Sequence, residues 1–303
     1  VDKVFNEYKL FTLDENSILY IDNRNYEDCF FENKKYTGYI MGYIRCLNQD
    51  MSQKRKIQNL YCAKNISDKK WPLDETFTGS FSIINYDKKE KLITIANDPI
   101  GIYPIYYSLK NDRLIISSNL ILSALVSNEK NDYIGVTEKL ISEEFITFGK
   151  RTTVKNFARL LPGEAIYFSA EFYNFIEKKY DNTLYQNVKK RSIKKTAHLL
   201  QKTISKEMEV CLMDNQEVNL ALSGGLDSRV VLGCINNKKI NCFTYGSKDY
   251  YETKIAKDCA EAVKASHNSY SIYNYQFPNK KILKKYILNT EAIGMQNWLA
   301  ILE

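Results

Sequence analysis

The chain has 303 residues, 44% of them hydrophobic and 26% charged, with a formal net charge of +7. That length supplies two domains with substantial cores, and a single core of that size is unusual. The basic excess is spread, with only a modest concentration over residues 178–206, and no RNA- or DNA-binding motif accompanies it, so a nucleic-acid partner is not expected. Seven cysteines without a C-x-x-C pair argue against a disulfide framework or a zinc site and for a reducing cytosol. No run is long enough to cross a membrane and no signal peptide is visible, so a cytoplasmic protein without a membrane partner is expected.

Residues 1–168 read as many short strands with turn signals, an antiparallel-rich α+β pattern. The segments YTGYIMGYIRC (36–46), GSFSIINYD (79–87), KLITIAND (91–98), IYPIYYSL (102–109), RLIISSN (113–119) and LLPGEAIYF (160–168) carry it. Helices are expected over residues 53–62 and 120–126. Residues 169–186, rich in Glu, Lys, Asn and Tyr, have weak periodicity and read as the connection between domains 1–170 and 188–303. A helix over 188–212 follows. Its stripe of Ile193, Ala197, Leu200, Ile204, Met208 and Cys211 is expected to pack in a core, with His198 outside it. There is no repeat or low-complexity tract.

The segment EVNLALSGGLDSRVVLGC (217–234) is the most informative. Val218, Leu220 and Leu222 make a short apolar strand, Gly224 and Gly225 allow a tight turn with close backbone approach, and Val230, Val231 and Leu232 continue on a helix. At such a helix start, unsatisfied N–H groups and the positive end of the dipole face any bound anion. Ser223 and Ser228 add hydroxyl donors, and Asp227 is placed to orient a Mg2+ ion carried by a polyphosphate. The spacing of a Walker loop is absent, and no lysine follows the glycines. S-G-G-x-D-S instead resembles the pyrophosphate loop of enzymes that activate a carboxyl or carbonyl group by adenylation.

A second strand, INCFTYG (240–246), arrives after one helix, as a βαβ unit requires. Its carboxyl end places Tyr245 and Gly246 beside Leu222 in the expected nucleotide pocket. An amphipathic helix then carries Ile255, Ala256, Cys259, Ala260 and Val263 on one face. Glu252 at its start reads equally as a helix-end charge or as a nucleotide or metal contact. His267, at the head of a third strand, reads as a solvated residue.

Taken in order, these segments resemble the asparagine synthetase superfamily, in which a class II glutamine amidotransferase-like domain precedes a pyrophosphate-loop synthetase domain. Gly79, Phe81, Asp87, Asp98, Gly101, Pro104, Tyr106, Tyr107, Ser118 and Leu125 carry the resemblance ahead of the loop. It implies an αββα sandwich of the Ntn-hydrolase type in the α+β amino-terminal domain, followed by an α/β parallel sheet of the adenine nucleotide α hydrolase type. It further implies ATP and Mg2+ as cofactors, a small-molecule or peptide carboxylate and an amine donor as partners, and room for a homodimer. The loop residues Ser223, Asp227 and Ser228 are the implied catalytic set.

Departures from the pattern are equally specific. The family's glutaminase uses an amino-terminal cysteine whose own α-amino group serves as base. This sequence begins Val1-Asp2-Lys3, and the internal Cys29, Cys46 and Cys62 lack a free amine, so the first domain is expected to be inactive as a glutaminase. Asp98 matches the family's glutamine-contacting aspartate, though an aspartate before a Pro-containing turn also has a structural use. Residues 287–303 resemble the stretch preceding the family's second anion loop, with Glu291 at a position usually acidic, so a fragment is expected. The implied activity is ATP-dependent amide formation, with asparagine synthesis as the default. A tailoring amide, lactam or macrolactam synthetase is the alternative, favoured by Arg229, where the family's asparagine synthetases carry a small residue. A nucleotide-binding homologue without chemistry is the reading of another class.

Overall fold

The structure, a computed structural model, describes residues 8–14, 17–22, 29–46, 55–68, 70–73, 76–111, 113–142, 147–172, 174–180, 190–213, 215–271 and 279–290. Glu291 lies outside them. The chain divides into two compact units, whose main parts are Val1–Asn187 and Val188–Tyr286.

In the first unit β1 (Tyr8–Asp14) and β2 (Ser17–Asp22) form an antiparallel pair of their own. The main sheet has six antiparallel strands in the order β11-β10-β6-β5-β4-β3, built from β3 (Phe30–Glu32), β4 (Tyr36–Cys46), β5 (Phe77–Asp87), β6 (Leu92–Asn97), β10 (Glu164–Ser169) and β11 (Asn174–Tyr180). A smaller sheet has the order β8-β7-β9, from β7 (Tyr106–Lys110), β8 (Arg113–Ser117) and β9 (Ala158–Arg159).

Period-two alternation explains how these layers stack, because successive side chains of a strand leave by opposite faces. On β5, Ile83 joins a core with Ile40, Ile44 and Ala96 against Cys62, Ala63 and Ile66 of helix α1 (Arg55–Ser67). Its neighbour Ile84 packs the other way, with Ile95, Ile166 and Phe168, against Tyr107, Leu114 and Ile116 of the smaller sheet. Tyr106, one residue before Tyr107, points outward to Leu120 of helix α2 (Leu120–Ser127) together with Val154 and Phe157. The result is four layers, helix, sheet, sheet and helix. Helix α3 (Tyr133–Ile141) follows α2 and is capped by Asp132, which accepts from Ile134 N.

The second unit is a parallel sheet of three strands in the order β12-β13-β14: β12 (Glu217–Ala221), β13 (Lys239–Tyr245) and β14 (Ser266–Tyr270). Helix α5 (Leu226–Cys234) connects the first two strands and α6 (Tyr251–Ala262) the second two. Leu222, Leu232, Cys242, Ala256 and Ala260 make the buried core between sheet and helices. Helices α4 (Ile193–Cys211) and α7 (Lys280–Thr290) complete the described elements.

Three expectations need correction. The segment taken as a connection contains β11, which pairs with β10 from Ser169↔Asn174 to Glu164↔Tyr180. Its mostly exposed edge position gives it no apolar alternation to read. Helix α4 begins at Ile193 because Ser192 caps it, its side chain accepting from Lys195 N. Its apolar stripe is not in a core: Ile193 is 90% and Leu200 58% exposed, and only Val210 of the helix is buried. On α6 the inward face is Thr253, Ala256 and Ala260, whereas Ile255 and Val263 are exposed.

Candidate functional site

The loop from Leu222 to Gly225 leaves the carboxyl end of β12 and enters α5. Leu222 is buried and bonded to the neighbouring strand, its N–H donating to Phe243 O at 2.9 Å. The hydroxyl of Thr244 donates to Leu222 O at 2.6 Å and also lies 2.9 Å from His267 Nε2. A hydroxyl has one proton, so with that proton given to Leu222 the imidazole must be the donor to Thr244. His267 is therefore half-buried and linked through Thr244 to the first residue of the loop, not merely solvated. Burial, aided by the charge of Lys257, holds its pKa below the ordinary histidine value.

Beyond Leu222 the two serines fold the loop on itself. Ser223 N donates to Ser228 Oγ at 3.1 Å, Ser228 Oγ donates to Ser223 O at 3.1 Å, and Gly225 N donates to Ser223 Oγ at 3.1 Å. The two hydroxyls lie 3.0 Å apart. Both serines are thus first of all builders of the turn. With Ser228 committed to Ser223 O, the proton of Ser223 remains to be given either to Ser228 Oγ or to a ligand.

The two glycines have different reasons, and neither is a left-handed backbone. Gly225 is extended at φ −72, ψ 160, a conformation open to any residue, and a β-carbon there would meet only Ser223 Oγ at 3.1 Å. At Gly224 a β-carbon would come within 2.8 Å of the Cα of Glu252 in the first turn of α6. Gly224 is therefore required for α6 to pack on the loop, while Gly225 leaves open space in front of the first turn of α5.

The amides at the starts of α5 and α6 lack side-chain caps. Helices α2, α3 and α4 are capped by Asn119, Asp132 and Ser192, and Asn279 accepts from Lys281 N and Ile282 N at the start of α7. Gly225 and Tyr250, by contrast, give α5 and α6 no side-chain cap. Both helices start at the carboxyl end of the parallel sheet, where their first-turn N–H groups and positive dipole ends are oriented for an anion. Asp227 is exposed in the first turn of α5, and the half-buried Glu252 accepts from Tyr251 OH at 3.3 Å. Tyr245 is 40% exposed, with its ring 6.0 Å from that of Tyr270, and Gly246 N donates to Tyr270 O at 2.8 Å. Leu222, Ser223, Gly224, Gly225, Asp227, Ser228, Tyr245, Gly246 and Glu252 accordingly stand at one end of one sheet.

Among the described residues no group of three His, Cys, Asp or Glu side chains is arranged to hold a metal ion. A cation at this end has Asp227 as an exposed carboxylate and otherwise needs oxygens brought by a ligand. That donor set suits Mg2+, which takes one or two carboxylates together with phosphates and keeps much of its water.

In the first unit Asp98 is 2% exposed and its carboxylate accepts three backbone hydrogen bonds. Oδ2 accepts from Phe81 N at 3.0 Å, and Oδ1 accepts from Ile100 N at 2.8 Å and Gly101 N at 3.1 Å. Gly101 sits at φ +67, so this turn needs both residues as they stand. Cys46 and Cys62 are buried, and burial pushes the Cys62 thiol pKa far above its ordinary value.

A family model of asparagine synthase matches residues 198–300, and one of the glutamine amidotransferase domain matches residues 72–181. A protein described as putative asparagine synthetase [glutamine-hydrolyzing] 2, from Methanocaldococcus jannaschii, is 26% identical over 223 residues, covering 69% of this chain. The chain spans 42% of that relative's length. Among solved structures, glutamine phosphoribosylpyrophosphate amidotransferase from B. subtilis, complexed with ADP and GMP, has 10% identity and a TM-score of 0.25, covering 84% of this chain and 52% of that one. A structure described as the allosteric regulatory enzyme of purine biosynthesis has 10% identity and a TM-score of 0.27, covering 86% and 52%. No helix among the described residues is long and apolar enough to cross a membrane.

Proposed function

Since the chain belongs to the asparagine synthetase superfamily, we propose that it is part of an ATP-dependent amide-forming ligase whose nucleotide site is the end of the parallel sheet around Ser223–Ser228. A substrate carboxylate oxygen attacks the α-phosphorus of ATP, pyrophosphate leaves, and an amine nitrogen then displaces AMP from the acyl carbon. The observation that carries this reading is the pair of uncapped helix starts, α5 and α6, at the carboxyl end of one parallel sheet, with space at Gly225 where a β-carbon would meet only Ser223 Oγ.

In this account the first-turn amides of α5 and the Ser223 hydroxyl hold the negative charge that accumulates on the departing pyrophosphate. Oriented dipoles of this kind cost no reorganisation when the bond breaks. Asp227 is the carboxylate that would hold Mg2+, and the ion would supply charge neutralisation there. Leu222, Tyr245 and Gly246 line the nucleotide, and Glu252 stands against Gly224 at the edge of the same site. The glutamine amidotransferase-like domain, whose main sheet includes β11 as its edge strand, is assigned a structural part. The carboxylate of Asp98, already bonded to three backbone amides of its own turn and neighbouring strand, and the buried thiols of Cys46 and Cys62 support that assignment. The amine is then free ammonia or an amine on the substrate, which keeps the tailoring amide or lactam synthetase as the second reading beside asparagine synthesis.

Isothermal titration of the chain with MgATP tests the site. Saturable binding that pyrophosphate competes away is expected. Absence of any nucleotide binding contradicts the proposal.

A further inference from the structure

In the first unit a half-open cavity of about 450 Å3 lies on the outward face of the smaller sheet, under α2 and α3. Small-molecule sites occupy about 300–1,000 Å3. One side of the cavity is apolar: Tyr106, Leu120 and Val154 are each 7% exposed, and Ala124 of α2 lines it beside them. Backbone contacts fix its rim. Asp132 N donates to Thr153 O and Lys155 N to Lys130 O, both at 2.9 Å, and Asn131 pairs with Val154 as an isolated bridge. A β-carbon on Gly135 would collide with Thr152 O, so the glycine lets α3 pack directly on that segment.

The charges around this cavity do not balance. Three cations and one carboxylate line it: Lys139, Arg151, Arg159 and Glu129. Two of the four are already answered. Arg151 pairs with Asp132 at 3.0 Å and with Glu138 at 3.3 Å, while Glu129 accepts from Lys110 at 2.7 Å through one oxygen and from Asn156 at 2.9 Å through the other. Lys139 has neither an ion pair nor a hydrogen bond among the described residues. Arg159 has no ion pair among them either. Its Nη2 donates to Gly149 O at 3.3 Å, and its buried Nε has no acceptor. Register accounts for its place: Arg159 of β9 is the direct partner of Tyr106 on β7, so both side chains leave the sheet by the face that carries Leu120. A guanidinium held against an apolar layer with an unsatisfied N–H is costly. The same low dielectric strengthens its attraction to an anion.

We propose that this cavity is a binding site for a small organic acid, whose carboxylate takes the charges of Arg159 and Lys139 and whose hydrocarbon body lies on Leu120, Ala124 and Val154. The planar guanidinium suits a carboxylate, and the apolar side of the cavity favours an acid with a hydrocarbon body over a bare inorganic anion. The first unit then has a ligand of its own. The site is independent of the nucleotide site in the second unit, and neither assignment depends on the other.

The test titrates the whole isotope-labelled chain with phenylacetate, with phenylacetamide, which lacks the charge, and with acetate, which lacks the ring. Binding is followed by magnetic resonance, through the ligand's own signals and through the Nε–H signal of Arg159, identified by its loss in Arg159→Gln. Phenylacetate should shift that signal saturably, and phenylacetamide and acetate should each bind more weakly by about tenfold or more, the size of one charge-assisted contact. Arg159→Gln should weaken phenylacetate binding by a similar factor and Lys139→Gln by less. Neither variant should melt lower without ligand, because each loses a cation that has no counter-charge. Equal binding of phenylacetate and phenylacetamide would overturn the carboxylate assignment, and the absence of a saturable shift would overturn the site. A lower melting temperature in Arg159→Gln with unchanged phenylacetate affinity would make the guanidinium a strut on Gly149 and overturn the inference. If Arg159→Gln does not fold, Lys139→Gln and the comparison of acid with amide decide: unchanged affinity in both refutes the site, and a loss in both supports it.

Discussion

Substituting the two loop glycines one at a time should separate folding from ligand binding. In Gly224→Ala the new methyl meets the backbone Cα of Glu252 at 2.8 Å and its Cβ and Cγ at 3.1 and 3.2 Å, so α6 must shift. Overpacking of this kind costs about 1–3 kcal/mol, and the reduced freedom of the unfolded chain returns about 0.4–1 kcal/mol. Taking the middle of each range, the net loss is about 1.3 kcal/mol, which lowers the melting temperature of a unit of about a hundred residues by roughly 5–10 °C. In Gly225→Ala the backbone is already extended, at φ −72, ψ 160, and the methyl meets only Ser223 Oγ at 3.1 Å. The unfolded-state term then dominates, and stability should be unchanged or raised by up to about 1 kcal/mol. The same methyl fills the space in front of the α5 amides, so MgATP binding should be lost. Calorimetric melting of both variants without ligand, followed by titration with MgATP, reads both quantities. A Gly225→Ala protein that binds MgATP as the wild type does would refute the assignment of that space to a ligand. A Gly224→Ala protein that melts at the wild-type temperature would refute the packing account.

Asp227→Ala should weaken MgATP binding by about 1.5–3 kcal/mol, the value of a charge-assisted contact, with far-ultraviolet dichroism and melting unchanged because the side chain is exposed; a variant that loses its fold instead would make Asp227 structural. The chain should release no glutamate from glutamine above a blank, and Cys62 should resist alkylation in the folded state, since its thiol is buried and hard to ionise; glutamate release abolished by a cysteine-directed reagent would contradict this. The depressed pKa of His267 means that protonation favours the unfolded chain. Its contribution is present above the ordinary histidine value of about 6.5 and is lost as pH falls below it. Melting of the second unit between pH 7.5 and 5.5 should therefore be steeper in the wild type than in His267→Asn, and identical slopes would count against the link.

The strands with strong alternation were legible. Residues 36–46 form a single strand, β4, as their pattern demands. The segment 102–109 contributes only from Tyr106 on, because Pro104 has no N–H for a ladder and Gly101 holds a left-handed turn just before it. β11 was not legible, since NFIEKKY sits mostly exposed on the sheet edge and its pairing with β10 is made by the backbone. The α4 stripe reads as a buried face, yet periodicity gives only the amphipathic direction of a helix and not what covers it.

At the site, the order strand, glycines, helix gave the loop correctly, but not the division of work within it. Sequence reading makes Gly225 a turn residue, whereas its backbone is ordinary and its value lies in the missing β-carbon. It makes Ser223 and Ser228 ligand donors, whereas much of their bonding closes the turn. The link from His267 through Thr244 to Leu222 spans two strand crossovers and left no local signal. Asn at 219 or Thr at 244 would read the same in any half-buried strand, so only the register β12-β13-β14 reveals which of them touches the loop.

The central claim is that ATP is cleaved between its α- and β-phosphates at this sheet end when a carboxylate is present. Incubation of the whole ligase to which this chain belongs with MgATP and a panel of carboxylates, with the nucleotide products separated, measures that directly. The account predicts AMP and pyrophosphate in equal amounts, dependent on the carboxylate and absent in Asp227→Ala. Formation of ADP and phosphate, or AMP release that Asp227→Ala leaves untouched, would contradict it.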